Sequence, residues 1–149
     1  MKRIFALLLM CLTVLLSLTS CTRGIAVEEY EWSLRYALHH SDDGYAAVAV
    51  SADMAYSHPE AQVIDARLVA SGGEIRIVDF TNEKTYVGTY QRVGKNPDGS
   101  VDYKITLGDT EGRGVTALTT YYKDSPEPTF PMAIGDYSMY FYAITETVQ

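Results

Sequence analysis

The sequence predicts an all-β domain: an antiparallel, up-and-down barrel of about eight strands, with a β-sandwich as the alternative. Three observations carry that expectation. Apolar and polar residues alternate with period two, glycine-bearing turns separate the alternating runs, and no segment has the periodicity of a long amphipathic helix.

Trp32, Leu34, Tyr36 and Leu38 alternate with Ser33, Arg35 and Ala37, which is the pattern of a strand with one buried face. Less clean runs follow at Tyr45–Ser51, Gln62–Ala70, Glu74–Phe80 and Thr85–Val93, rich in the residue types that strands favour. Val101, Tyr103, Ile105 and Leu107 then alternate with Asp102, Lys104 and Thr106, and Val115–Tyr122 and Tyr137–Ile144 complete the set. Turn signals stand between them at Ser41–Gly44, Ser71–Gly73, Asn96–Gly99 and Gly108–Gly112, with a weaker one at Asn82–Lys84. Two longer connections remain, Asp53–Ala61 and Lys123–Pro131, each broken by proline; the first has room for one helical turn. Successive hairpins favour a barrel, because closure removes exposed strand edges. A barrel of eight strands is just wide enough to be filled by side chains or to hold one small ligand.

The chain begins with Lys2 and Arg3, continues with an apolar run from Ile4 to Leu18, and reaches Leu18-Thr19-Ser20-Cys21. The run is shorter than the ~20 residues of a membrane-spanning helix. With its small residues and terminal cysteine it resembles a bacterial lipoprotein signal peptide. That resemblance implies removal of residues 1–20, acylation of Cys21 by chains such as palmitate, and an exported protein. Its lipid would sit in the outer face of the cell membrane or in an outer membrane. Residues 21–29 then read as the lipidated cysteine and a short tether, and residues 30–149 as the barrel domain. The eight residues Thr22–Glu29, fully extended, reach about 28 Å.

Charge and cysteine content narrow the function classes. The chain has 12 Lys and Arg against 19 Asp and Glu; without Lys2 and Arg3 the balance is 10 against 19, or −9. A domain this acidic is a poor partner for nucleic acid, whose binding draws on basic side chains at the phosphates. Anionic lipid headgroups repel it too, so the acyl chains must hold it at the membrane. The two cysteines, Cys11 and Cys21, fall in the leader and at the acylation position. No thiol is left for a disulfide, a metal site or a nucleophile.

Asn82-Glu83-Lys84-Thr85-Tyr86-Val87-Gly88-Thr89-Tyr90, Val101–Ile105 and Ala117–Tyr122, together with Trp32, resemble the barrels of small lipocalin-like bacterial lipoproteins. The resemblance spans roughly Glu31 to Ile144. Lipocalins proper carry a glycine two residues before the first-strand tryptophan, where this chain has Tyr30. The likeness is therefore to the broad architecture, and it implies no specific ligand.

Other constellations weigh less. His39-His40-Ser41-Asp42-Asp43, with His58 distant, holds metal-ligating types, but adjacent strand residues point to opposite faces, so a polar turn is the expectation and no metal is assigned. Gly112-Arg113-Gly114-Val115-Thr116-Ala117 matches a dinucleotide-binding spacing yet runs into strand, and reads as a hairpin turn. Pro128-Thr129-Phe130-Pro131 reads as a loop leading into a strand. Neither a G-x-S-x-G elbow nor another catalytic pattern occurs, so no enzyme activity and no cofactor are assigned.

The 12 tyrosines all follow the leader, and Tyr121, Tyr122, Tyr137, Tyr140 and Tyr142, with Phe141, crowd the last two expected strands. Alternation puts Tyr140 and Tyr142 on one face, with Tyr137, Met139 and Phe141 on the other. Tyrosine offers a large rigid surface with a polar tip, as binding sites require. Trp32, Tyr86, Tyr90, Tyr103, Tyr121, Tyr140 and Tyr142 are accordingly the candidate ligand- or partner-binding residues. The expected function is non-catalytic binding of a small apolar or amphipathic molecule. A protein-interaction or inhibitor module using a tyrosine-rich face is the alternative, and an envelope hydrolase a third reading.

Overall fold

A computed structural model of the protein describes residues 24–120 and 126–146. Its strands are β1 (Tyr30–Ser41), β2 (Gly44–Val50), β3 (Gln62–Val63), β4 (Ala66–Ser71) and β5 (Glu74–Asp79), then β6 (Lys84–Lys95), β7 (Val101–Leu107), β8 (Thr110–Thr119), β9 (Glu127–Ile134) and β10 (Tyr137–Glu146). From β4 to β10 each strand pairs antiparallel with the next, and β10 returns to β1, whose other edge meets β4. The result is a closed antiparallel barrel of 8 strands, consistent with a lipocalin-like architecture.

Closure depends on how β1 divides one edge between two neighbours. Trp32 and Ser33 pair with Leu68 and Arg67 of β4, whereas Tyr36–Ser41 pair with β2. Between those halves Arg35 has no opposite number on β10, where Leu34 meets Phe141 and Tyr36 meets Tyr140. Such a bulge adds one residue to one strand and bends it. Leu34 and Ala37 therefore face inward, while Tyr36 and Leu38 pack outside the wall against Ala47, Val50, Met54 and Ala61. Strands β2 and β3 thus form a flap with its own small apolar cluster.

Barrel membership differs from the expectation although the count agrees. Tyr45–Ser51 lies in the flap, and the run Gln62–Ala70 divides into β3 and β4. The missing member is β9, in a segment expected to be a connection. Prolines lack the N–H that a ladder needs, and Pro128 and Pro131 hid a period-two series, Phe130, Met132 and Ile134, that is buried in the barrel. The ladder between β8 and β9 is interrupted opposite Phe130 and Pro131. Gly112 and Gly114 also lie within β8 rather than in the turn before it. A Cβ on Gly114 would stand 2.6 Å from the Phe130 ring and 2.7 Å from Ile105 Cδ1, so the neighbouring side chains fill the space a larger residue would need. The Asp53–Ala61 connection does carry a short helical turn, at Ala52–Met54.

The two ends of the barrel differ. Within the barrel wall, odd and even strands run in opposite directions, so the β4–β5, β6–β7 and β8–β9 connections share one end with the N-terminal segment. That end is sealed. Residues 24–29, expected to belong to the tether, instead pack into it: Val27 is fully buried in a short 3-10 turn, Val27–Glu29. Its N–H donates to the Tyr103 hydroxyl (3.0 Å), and its carbonyl accepts from Trp32 Nε1 (2.8 Å). Thr116 Oγ1 donates to the Ile25 carbonyl, and the Tyr90 hydroxyl donates to Glu28. Around this strap Trp32, Phe130 and Tyr103 meet at ring-centroid distances of 5.6 and 6.0 Å. An apolar Val27 with both backbone groups satisfied is more stable inside than in water.

Candidate functional site

The opposite end of the barrel is open. It is ringed by the β1–β2, β5–β6, β7–β8 and β9–β10 turns, and it holds a cavity of about 380 Å3. Leu34 and Ala37 of β1, Ala66 of β4, Ile77 of β5, Ile134 of β9 and Phe141 of β10 form its buried wall. Ile64, Leu107 and Met139 add apolar surface. At the mouth Tyr86 and Tyr137 are each about half exposed, 49% and 47%, and Tyr137 packs against the His39 ring at 5.0 Å. Depth and apolar lining suit a small ligand, since such sites begin near ~300 Å3.

Asp79 is the charged residue of this lining, and the turn that follows β5 explains its burial. One carboxylate oxygen accepts the backbone N–H groups of Thr81 and Asn82, both at 3.0 Å, and the other accepts Asn82 Nδ2 at 2.7 Å. Burial alone pushes this carboxyl up. The hydrogen bonds from Asn82 and Thr81, helped by the Lys84 ammonium, outweigh it and hold the group below the ordinary carboxylate range. Asp79 is therefore a permanent negative charge at the wall of an apolar pocket.

Of the candidate tyrosines and tryptophan among the described residues, the pocket gathers Tyr86 alone. Trp32 and Tyr103 belong to the packed core of the sealed end, and Tyr90 sits beside Tyr103 at 5.9 Å. Burial, with the bond to Glu28, pushes the Tyr90 phenol up to about 12. Tyr140 and Tyr142 point outward from β10. Tyr140 stacks on Tyr36 at 5.3 Å with the rings nearly parallel, and Tyr142 lies under the Arg35 guanidinium at 5.2 Å. Tyr121 and Cys21 lie outside the described residues. The pocket residues that the candidate set lacked are chiefly Leu34, Ala37, Asp79, Tyr137, Met139 and Phe141. The alternation on β10 had already put Tyr137, Met139 and Phe141 on one face; which face turned inward needed the register with β1.

Other concavities lie outside the barrel, among them a groove and a depression on the outer wall. A groove of about 320 Å3 runs beside the Tyr36–Tyr140 stack, with Leu38, Val115 and Pro131 along it. A wider depression of about 780 Å3 follows β7 and β8, but Asp102, Lys104, Glu111 and Arg113 line it, and a Lys104–Glu111 ion pair at 2.6 Å stands there half exposed. Charged, solvated walls of that kind desolvate a ligand poorly. His39 and His40 diverge as neighbouring strand residues do: His39 packs on Tyr137, and His40 Nε2 bonds Ser138 Oγ at 2.9 Å. Among the described residues no three metal-ligating side chains converge, and no helix is long and apolar enough to cross a membrane. No protein-family model, curated protein or solved structure matches the chain.

Proposed function

We propose that this chain is a lipid-anchored envelope protein whose barrel binds a small apolar or amphipathic molecule through its open end. One observation carries the reading: a cavity of about 380 Å3, apolar in lining, open at one end and sealed at the other by the Val27 strap. A barrel built only as a scaffold would gain stability from filling that space, because voids forfeit packing contacts. Export and acylation rest on the leader and Cys21, and labelled fatty acid incorporated into Cys21→Ala protein would overturn them.

Native mass spectrometry of residues 22–149, secreted without acylation and purified from the producing cell, tests the binding. A bound species of a few hundred daltons, lost on denaturation, is the expected result. An empty barrel that also fails to take up an environment-sensitive apolar dye refutes the reading. A protein-interaction module is the second reading, supported by the stacked Tyr36–Tyr140 pair and its outer groove. A photo-crosslinking residue at Leu38 that captures one envelope protein, with the cavity empty, would favour it.

A further inference from the structure

The charge at the open end bears on which molecule enters. Inside the pocket, the lining is hydrocarbon apart from Asp79 and the two mouth tyrosines. Asp79 spends three acceptor positions on its own turn. A carboxylate has about four, so its own turn leaves one untaken. Around the mouth, the turns and the strand ends beside them carry Asp42, Asp43, Glu83, Asp109 and Asp136, against Lys84 and the His39 and His40 imidazoles. An anionic amphiphile such as a fatty acid would have to set its carboxylate among these charges. An ammonium would instead meet a net excess of negative charge at the mouth, and low-dielectric walls strengthen the field inside a cleft. Tyrosine faces add to this, because the ring quadrupole attracts cations, most of all quaternary ammonium groups.

We infer that the pocket takes a cationic amphiphile: an apolar body of modest size bearing an ammonium group that lodges at the mouth, beside Asp79, Tyr86 and Tyr137. The inference rests on the ligand-binding reading above. Size is set by the cavity: about 380 Å3, at about 30 Å3 for each water-sized atom, holds roughly a dozen. That matches an eight-carbon chain with a trimethylammonium head. A long single-chain lipid exceeds it.

Calorimetric titration of residues 22–149, which hold every described strand and the strap, separates the possibilities. The probes are octyltrimethylammonium, octanol and octanoate, which share one tail and differ in charge. The cation is expected to bind at least roughly tenfold more tightly than the anion, with the alcohol between them and the gap narrowing as salt screens the mouth. Asp79→Asn should erase most of the preference. Because Asp79 also supports a turn, the exposed positions Asp109→Asn and Asp136→Asn give a second test, each lowering the preference with the fold untouched. Equal binding of the three probes, or tightest binding of octanoate, overturns the cationic assignment and leaves the pocket standing. Failure of all three to bind at millimolar concentration overturns the pocket itself.

Discussion

Tyr103→Phe removes the hydroxyl that ties β7 to the strap and also meets Thr116. The ring keeps its edge-on contacts with Phe130 at 6.0 Å and Tyr90 at 5.9 Å, so packing is preserved. What disappears is the hydroxyl that accepts the Val27 N–H at 3.0 Å, and Val27 is fully buried, so water cannot replace it. Orphaning a buried donor costs about 1–3 kcal/mol. For a domain of this size each kcal/mol moves the melting temperature by roughly 4 °C, so a fall of about 4–12 °C is expected. Hydrogen exchange adds a local signature: amides of residues 25–30 should lose protection, while those of the mouth turns keep theirs. A melting temperature within about 2 °C of the parent, with the Val27 amide still protected, would refute the strap as a structural seal. So would lost protection at the mouth alone.

Gly112→Ala places a Cβ 2.2 Å from the Ala133 carbonyl oxygen and should cost at least the ~1–3 kcal/mol of overpacking in urea unfolding, whereas Gly94→Ala, with open space around it, should be near neutral. The Tyr90 phenol stands at about 12 in the folded chain against an ordinary 10.0. Its contribution is therefore fully present below about pH 10 and lost as the pH rises towards about 12, and Tyr90→Phe should flatten that part of the urea-midpoint profile. Ala37→Leu, which sends three more carbons towards the cavity, should leave stability within about 1 kcal/mol. Ligand affinity should fall roughly fiftyfold by titration, at about 0.8 kcal/mol for each displaced carbon.

Local pattern made most of the wall legible. The alternations Trp32–Leu38 and Val101–Leu107 correspond to β1 and β7, and the turns at Ser41–Gly44, Ser71–Gly73 and Asn96–Gly99 all close hairpins. The failures share a cause: they turn on which segment pairs with which. The bulge at Arg35 lets β1 leave β4 for β2, and no local signal distinguishes Tyr45–Ser51 from a barrel strand. Proline at 128 and 131 suppressed β9 because its local cost is plain, while its compensation, burial of Phe130, Met132 and Ile134 of the same strand, depends on partners distant in sequence such as Trp32 and Tyr103. The site suffered similarly. Tyrosine content pointed to Trp32, Tyr90 and Tyr103, which serve the sealed end. The pocket itself is built from ordinary aliphatic residues, and only closure gives them a shared cavity.

The strap also fixes how the barrel would sit on a membrane. Gly24 is lodged against the β6–β7 turn, where a Cβ would meet Val101 at 2.6 Å and the Gly99 carbonyl at 3.0 Å. That turn belongs to the sealed end. On the proposed anchoring, Cys21 is three peptide units away, a span of at most about 11 Å, so the acyl chains hold the sealed end close to the lipid and the mouth turns face outward. Ligand exchange would then run through the aqueous side rather than through the bilayer. Fluorophores attached at Asn96 and at Asp43, read against a quencher carried on lipid headgroups, decide this. Quenching at Asn96 with emission preserved at Asp43 is the expected result; the reverse order would mean that the pocket opens onto the membrane and draws its ligand from there.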